Sequence, residues 1–179
     1  MVIQIDGSGS VNKGAELMLA ACLQEIKRSL PDSKVIINSR TPDEDFVREQ
    51  YGDNYVIPRD DKFYTRIETY HIVGILSRFS RAWANYFTLQ HAVKGVDLIL
   101  DVGGFQFGDQ WGHIKDGIDS WKEYLKRAHK YGTKVVFMPQ AFGPFEKEGS
   151  KKMLKVLNDF SDLLIARDDV SYNYLPLLH

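Results

Sequence analysis

Three glycine-containing loops, each directly following a short apolar run, constrain the fold more than any other feature of this chain. The loops that share this position are 7–14, 102–109 and 139–144. Short apolar runs bounded by glycine predict buried strands. In a parallel sheet the carboxyl ends of the strands meet at one edge, where open α/β proteins bind their ligands. The sequence therefore predicts a ligand-binding layer built from these loops.

Predicted strands and helices alternate along most of the chain. The predicted strands are 2–6, 34–38, 55–57, 97–102, 134–138 and 162–166. The predicted helices are 14–30, 43–51, 115–131, 149–160 and one that begins at 169. This alternation indicates an α/β fold with a doubly wound, mostly parallel, Rossmann-like sheet. We expect residues 1–179 to form a single domain, which is long enough to bury a sizeable core.

The segment at about 63–94 interrupts this alternation. It is too long for an ordinary strand-to-helix connection, and it mixes aromatic residues with arginines. We expect a helical, aromatic-rich insertion here. It either covers the site and contacts an acidic glycan, a lipid headgroup or a partner, or it is an amphipathic helix pair packed on the sheet with solvated arginines. The second interpretation is the more ordinary one.

Composition excludes several classes of protein. Lysine and arginine total 23 against 24 aspartates and glutamates, so the overall charge does not favour a nucleic-acid partner. The single Cys22 excludes an intrachain disulfide and shares a helical face with Leu19 and Ile26, which predicts a buried thiol in a reducing compartment. No leader peptide or membrane-length apolar run is evident. We expect a cytoplasmic protein, with peripheral membrane contact as the less favoured alternative.

The first loop leads into a helix whose amino-terminal N–H groups favour anions. Ser10, Asn12, Lys13 and Gly14 lie at this position and predict an anion-binding site. The loop lacks the third glycine of the dinucleotide fingerprint and the Lys-Ser/Thr ending of a P-loop. An NADP-binding oxidoreductase is a further alternative, and Arg40 is the only residue that supports it. The alternative is a tight turn in which glycine serves shape only.

The second loop places Asp101 at the end of a strand, directly before Gly103 and Gly104. A carboxylate in this position is suited to bind a sugar hydroxyl or to act as a base. The alternative is an aspartate that caps nearby loop amides. Asp109 and His113 follow, but no further ligands are suitably spaced, so no metal site is predicted.

The third loop is rich in proline and aromatic residues. Gln140 can reach a ligand from it, and Gly143 lets the backbone approach closely. Phe142 and Phe145 either stack on a ligand or belong to the core.

A fourth strand ends at Arg167, on the same predicted edge of the sheet. A guanidinium there is suited to bind a phosphate or carboxylate through two hydrogen bonds. The alternative is a structural ion pair with Asp101, Asp168 or Asp169. Asp168 or Asp169 is also the predicted N-cap of the last helix.

Four segments together resemble the polysaccharide pyruvyltransferase family. They are GSVNKGAE at 9–16, DLILDVGG at 97–104, MPQAFGPF at 138–145 and ARDDVS at 166–171. Their order and spacing carry the resemblance, which covers nearly the whole chain except the aromatic-rich segment.

The resemblance implies transfer of the carboxyvinyl group of phosphoenolpyruvate to a hexose of a cell-surface polysaccharide or its precursor, which forms a pyruvate ketal. Phosphoenolpyruvate is the donor substrate, and no cofactor is implied. Carried onto this sequence, the resemblance implies that the loop 12–14, Asp101 with Gly103 and Gly104, Gln140 and Arg167 line the cleft. Our hypothesis is that Asp101 and Arg167 are catalytic. The residues expected to bind substrate are Ser10, Asn12, Lys13, Gly14, Gly103, Gly104, Gln140 and Gly143.

The family is also expected to have two Rossmann-like halves that face each other, as in the GT-B glycosyltransferases. This chain matches the amino-terminal half, so we expect a missing carboxyl-terminal domain or second subunit as a partner beside phosphoenolpyruvate and a glycan acceptor. Phe105 stands where many relatives carry a third glycine, which predicts a fuller pocket. The alternatives are a GT-B-like nucleotide-sugar glycosyltransferase and a non-catalytic glycan-binding domain.

Overall fold

The computed structural model describes most of the predicted α/β framework. The described residues are 1–8, 13–38, 48–49, 93–111 and 114–175. The predicted strand 55–57, most of the predicted helix 43–51 and almost all of the aromatic-rich segment at 63–94 lie outside them.

The described residues form a five-stranded sheet with helices packed against it. The strands are β1 (Val2–Asp6), β2 (Lys34–Asn38), β3 (Leu98–Asp101), β4 (Lys134–Gln140) and β5 (Leu163–Ala166). The helices are α1 (Lys13–Ser29), α2 (Ile114–Lys130), α3 (Glu148–Phe160) and α4 (Asp169–Tyr174). These bounds lie within one or two residues of the predicted ones, and the α/β class is confirmed. No helix in the described part of the chain is long and apolar enough to cross a membrane.

Every strand pair in this sheet is parallel, and the strand order is β2-β1-β3-β4-β5. From β1 the chain first adds β2 on one side, then crosses to β3 on the other. The connections after β1 and β3 therefore run to opposite faces of the sheet, which makes the carboxyl ends of these two strands the topological switch point where open α/β sheets bind ligands. Asp6 and Asp101, the last residues of β1 and β3, lie directly opposite each other at this point.

Two apolar cores cover the two faces of the sheet. On one face, α1 packs against Ile3, Ile5, Val35 and Ile37. On the other face, α2 and α3 pack against a cluster that contains Ile99, Val135 and Phe137. These strand residues are almost fully buried, and each contributes on the order of 1.5–3 kcal/mol relative to an exposed side chain. Helices on both faces confirm the doubly wound arrangement.

Gly132 ends α2 as the sequence predicts. Its φ is +73°, its N–H donates to the carbonyl of His129, and the N–H of Thr133 donates to the carbonyl of Ala128. This is the hydrogen-bond pattern of a Schellman cap. The cap turns the chain directly into β4, which keeps the ends of β3 and β4 aligned.

Strand β4 extends two residues beyond its predicted end at Met138. Gln140 pairs with Ala166 of β5, and its carbonyl accepts the N–H of Arg167 at 2.9 Å. A register irregularity between Phe137 and Gln140 accommodates Pro139, which has no N–H to donate. Gln140 is therefore a buried strand residue and not part of a loop.

Cys22 is buried against the sheet by α1, as predicted, and only 5% of its surface is exposed. Burial raises the pKa of the Cys22 thiol to about 11. We expect alkylation by iodoacetamide at pH 8 to be at least about 100-fold slower in the folded protein than in guanidinium, because thiolate is scarce and access is blocked. Mass spectrometry over time measures both rates. Equal rates would contradict the burial of this helix face.

Candidate functional site

The loops after β1, β3 and β4 contact one another through their backbones. A Cβ atom on Gly7 would lie 2.7 Å from the backbone nitrogen of Gly103. The carbonyl of Gly104 accepts the N–H of Ala141 at 2.9 Å, and the N–H of Gly143 donates to the carbonyl of Phe107 at 3.1 Å. These contacts place the described parts of the three glycine loops in one layer at the carboxyl edge.

Asp101 lies at the centre of this layer, and only 2% of its surface is exposed. Its Oδ1 accepts the backbone N–H of Gly103 at 3.0 Å. The same oxygen accepts side-chain N–H groups from Gln106 at 2.5 Å and from Gln140 at 3.0 Å. No described residue donates a hydrogen bond to Oδ2. The carboxyl group is thus fixed through one oxygen, and Oδ2 accepts no hydrogen bond from the described residues.

Burial raises the pKa of Asp101 to about 7, because the ionised form loses its hydration inside the protein. The N–H of Gly103 opposes this shift, and the charge of Asp6 adds to it. A carboxyl group with a pKa near the working pH can donate and accept protons, which suits general acid–base chemistry.

A second buried carboxyl group, that of Asp6, lies beside Asp101, and no role was predicted for it from the sequence. Its Oδ1 accepts a hydrogen bond from the Gln4 side chain at 2.9 Å, and its Oδ2 accepts one from the Tyr124 hydroxyl. Gln4 also donates to the Tyr124 hydroxyl at 2.9 Å. The available signal was the alternation of polar Gln4 and Asp6 with apolar residues in β1, which points both side chains to one face.

Two buried polar atoms near the carboxyl groups have no hydrogen-bond partner among the described residues. They are Oε1 of Gln140 and Oγ of Ser8. Gln140 is completely buried, and its Nε2 is already bonded to Asp101. Buried acceptors and hydroxyls are normally satisfied, so these atoms indicate a missing hydroxyl donor or water at this edge.

Arg167 lies beside this site but outside the buried layer. Its side chain is 56% exposed, and its Nε lies 3.6 Å from Oδ2 of Asp168. Such an exposed pair is weak, so the guanidinium can turn towards a ligand. Asp168 accepts the N–H of Ser171 at 2.8 Å and is the N-cap of α4, as predicted. The structure thus contains the ion pair with Asp168 that was the structural alternative for Arg167.

Other candidates from the sequence have structural roles. Asp109 accepts the backbone N–H groups of Glu146 at 2.9 Å and of Lys147 at 3.1 Å, next to the start of α3. A hydrogen bond from the Ser150 hydroxyl is the main reason that its pKa is lowered. Phe142 belongs to the buried core and stacks on Phe107, so it is not placed to stack on a ligand.

The first loop is only partly described. Ser10, Asn12, His113 and Arg40 lie outside the described residues. Lys13 is exposed at the start of α1 and bonds to Glu16 of the same helix at 2.7 Å, and Gly14 is exposed beside it. Within the described ranges, no group of three or more histidines, cysteines, aspartates or glutamates is placed to hold a metal ion.

Of three comparisons with known proteins, one found a match. None of the curated proteins and none of the solved structures matches this chain. The family model described as "Polysaccharide pyruvyl transferase" matches residues 12–179, which is most of the chain. This match includes the loops after β3 and β4 and all of the site except the residues of β1 and its following turn. The chain therefore belongs to the polysaccharide pyruvyl transferase family.

Proposed function

We propose that this protein transfers the carboxyvinyl group of phosphoenolpyruvate to a hexose of a polysaccharide or its precursor and closes a pyruvate ketal. The observation that carries the proposal is Asp101, a buried carboxyl group whose pKa is raised to about 7 and whose Oδ2 faces no donor among the described residues. Membership of the polysaccharide pyruvyl transferase family supports the choice of reaction.

The reaction requires a proton for the methylene carbon of phosphoenolpyruvate and a base for the attacking sugar hydroxyl. It also requires donors for the phosphate and carboxylate of the substrate. Asp101 is proposed to supply the acid–base chemistry at the carboxyl ends of β1 and β3. Oε1 of Gln140 is a free acceptor for a sugar hydroxyl, because its amide nitrogen is fixed on Asp101.

Arg167 is the proposed anchor for an anionic group of the substrate. It follows β5 on the same edge, and its backbone N–H is bonded to the carbonyl of Gln140. Residues 12–14 are proposed to add N–H donors at the start of α1, where the helix dipole favours an anion. The backbones of Gly103, Gly104 and Gly143 are proposed to line the same layer. An added Cβ would meet Gln106 at Gly103 and the Tyr174 ring at Gly143, whereas Gly104 has no heavy atom closer than 3.9 Å, so Gly104 allows the close approach of the acceptor.

The proposal includes a second Rossmann-like domain or subunit that faces the carboxyl edge, as in GT-B enzymes. Phosphoenolpyruvate carries both a phosphate and a carboxylate, whereas the buried centre described here is acidic, with Asp6 beside Asp101. Further cations opposite this edge would balance the substrate charge. The proposed enzyme works without a metal or cofactor in the cytoplasm, where phosphoenolpyruvate is available.

The test is phosphate release from phosphoenolpyruvate with a panel of hexose acceptors, followed by mass spectrometry of the sugars. The assay is run on this chain and, in parallel, on the full-length product of its gene. Acceptor-dependent phosphate release together with a ketal-bearing sugar supports the proposal. Sugar transfer from a nucleotide-diphosphate donor without phosphoenolpyruvate would contradict it in favour of a glycosyltransferase. Specific glycan binding without turnover would favour a binding domain.

A further inference from the structure

The two carboxyl groups at the ends of β1 and β3 lie side by side. Asp6 and Asp101 are register partners on adjacent parallel strands, and both are more than nine-tenths buried. Ionising both groups places two like charges side by side in a poorly solvated environment, which is unfavourable. Two carboxyl groups that interact in this way release their protons in two separated steps.

The hydrogen bonds around the pair are arranged asymmetrically. Asp6 accepts side-chain hydrogen bonds on both oxygens, from Gln4 and from Tyr124. These donors stabilise its negative charge. Asp101 accepts all three of its donors on Oδ1. The oxygen that is left to carry a proton shared by the pair is therefore Oδ2 of Asp101.

An independent feature points to a missing hydrogen-bonding group beside this position. Gln140 is completely buried, its Nε2 is 3.0 Å from Asp101, and its Oε1 has no partner among the described residues. The buried hydroxyl oxygen of Ser8 also lacks a described partner, two residues beyond Asp6. Unsatisfied buried polar atoms of this kind are expected where a hydroxyl-bearing substrate completes the network.

We propose that Asp6 is a positioning residue whose charge, held in place by Tyr124 and Gln4, keeps a proton on Oδ2 of Asp101, so that Asp101 serves as the general acid. This deepens the proposed function and rests on it for the identity of the proton acceptor. Tyr124 reaches Asp6 from α2, so that helix contributes to the chemistry without contacting the substrate.

The described charged and titratable groups around Asp101 are few. Asp6 faces it from β1 and Tyr124 approaches Asp6 from α2, whereas the neighbours from β4 and from the loop after β3 are the uncharged Gln140 and Gln106. Among the described residues of α2, the buried charged side chain is Arg127. Arg167, beyond β5, is exposed and paired with Asp168. Burial and Asp6 are accordingly what raise the pKa of Asp101 to about 7.

The proton balance of the reaction closes with this assignment. Asp101 gives its proton to the methylene carbon of phosphoenolpyruvate, and C2 bonds to the oxygen of the first sugar hydroxyl. The proton of that hydroxyl returns to Asp101, which acts here as the base. The bond between C2 and the phosphate oxygen then breaks, the second hydroxyl oxygen bonds to C2, and its proton leaves with phosphate. No oxidant or reductant is needed.

The direct test is titration of the Asp101 carboxyl carbon by NMR, with aspartate labelled at that carbon and the signal assigned from Asp101→Asn. We expect Asp6→Asn to lower the pKa of Asp101 by about one unit or more, because a like charge is removed. Tyr124→Phe should move it in the same direction by a smaller amount, because the proton redistributes towards Asp6. The exposed Asp119→Asn and Tyr131→Phe, on and just after α2, are the matched controls and should leave the titration unchanged.

The outcomes separate this inference from the proposed function. A titration of Asp101 that is the same in wild type, Asp6→Asn and Tyr124→Phe would overturn the inference. If Asp6→Asn fails to fold, Tyr124→Phe alone decides it. With turnover, the basic limb of the kcat/KM profile should move to lower pH together with the NMR titration. Coupled titration without phosphate release from phosphoenolpyruvate would support the carboxyl pair and reject the pyruvyl donor.

Discussion

Replacing Asp101 with asparagine is expected to reduce turnover by roughly 10²–10⁴-fold and, at the same time, to stabilise the protein at pH 8. The loss of turnover follows because an amide neither donates nor accepts the proton at the required step. The gain in stability follows from the raised pKa of about 7, compared with an ordinary value of 3.8.

The sign of the stability effect follows from proton linkage. Between about pH 4 and pH 7 the folded protein holds the Asp101 proton and the unfolded chain does not, so the free energy of unfolding falls as the pH rises. The stability contribution of this proton is fully present below the unfolded pKa and is lost as the pH passes about 7. A neutral asparagine removes this dependence and keeps Oδ1 for the three N–H donors.

Urea unfolding of both proteins at pH 5 and pH 8 measures the effect. The asparagine variant should gain on the order of 2–4 kcal/mol over wild type at pH 8 and clearly less at pH 5, since its new N–H group offsets part of the gain. The control is Asp119→Asn, an exposed carboxyl group on α2 that should leave both stability and turnover close to wild type. An asparagine variant that is less stable at pH 8 would mean that Asp101 is a structural capping residue.

Much of the fold could be predicted because its signals are local. Apolar triplets in β2 and β5, the helical spacing in α2 and the glycine at 132 depend on neighbours only a few residues away. The order of strands and helices then restricts the sheet to a parallel, doubly wound form, which the structure confirms. The predicted end of β4 at Met138 was wrong. Proline usually ends a strand, but pairing with β5 continues β4 past Pro139 to Gln140.

The candidate site was predictable only where its residues directly follow strands. Asp101 and the glycines of its loop were found in this way. The network of Gln4, Asp6 and Tyr124 was missed because it joins residues 118 and 120 positions apart. Their proximity depends on which strand lies beside β3 and which face α2 covers, and no local pattern encodes either fact. Asp6 was interpreted only as the end of a strand.

Replacing Gly7 with alanine is expected to disrupt the contact between the loops after β1 and β3. Gly7 has a φ of +72°, and an added Cβ would lie 2.7 Å from the nitrogen and 2.9 Å from the Cα of Gly103. Both neighbours are backbone atoms, so a side-chain rotation cannot relieve the contact. The loops after β1 and β3 must separate, which also moves the N–H of Gly103 away from Asp101.

Gly132→Ala provides a matched control, because Gly132 has nearly the same φ of +73° and no heavy atom within 4 Å of an added Cβ. It should lose about 1–2 kcal/mol of unfolding free energy from left-handed strain alone. Gly7→Ala should lose more than this, on the order of 3 kcal/mol or more, because the contact adds to the strain. Urea unfolding of the two variants gives the difference directly.

The two glycine variants also separate stability from function. Gly132→Ala should retain turnover, whereas Gly7→Ala should lose it even at temperatures where the variant remains folded, because its loop no longer holds Asp101 in place. The pKa of Asp101 in Gly7→Ala should fall because separation of the two loops admits water to the carboxyl group, and the same NMR titration detects this change. Equal stability and equal activity in the two variants would contradict close contact between the loops and with it a catalytic layer built from their backbones.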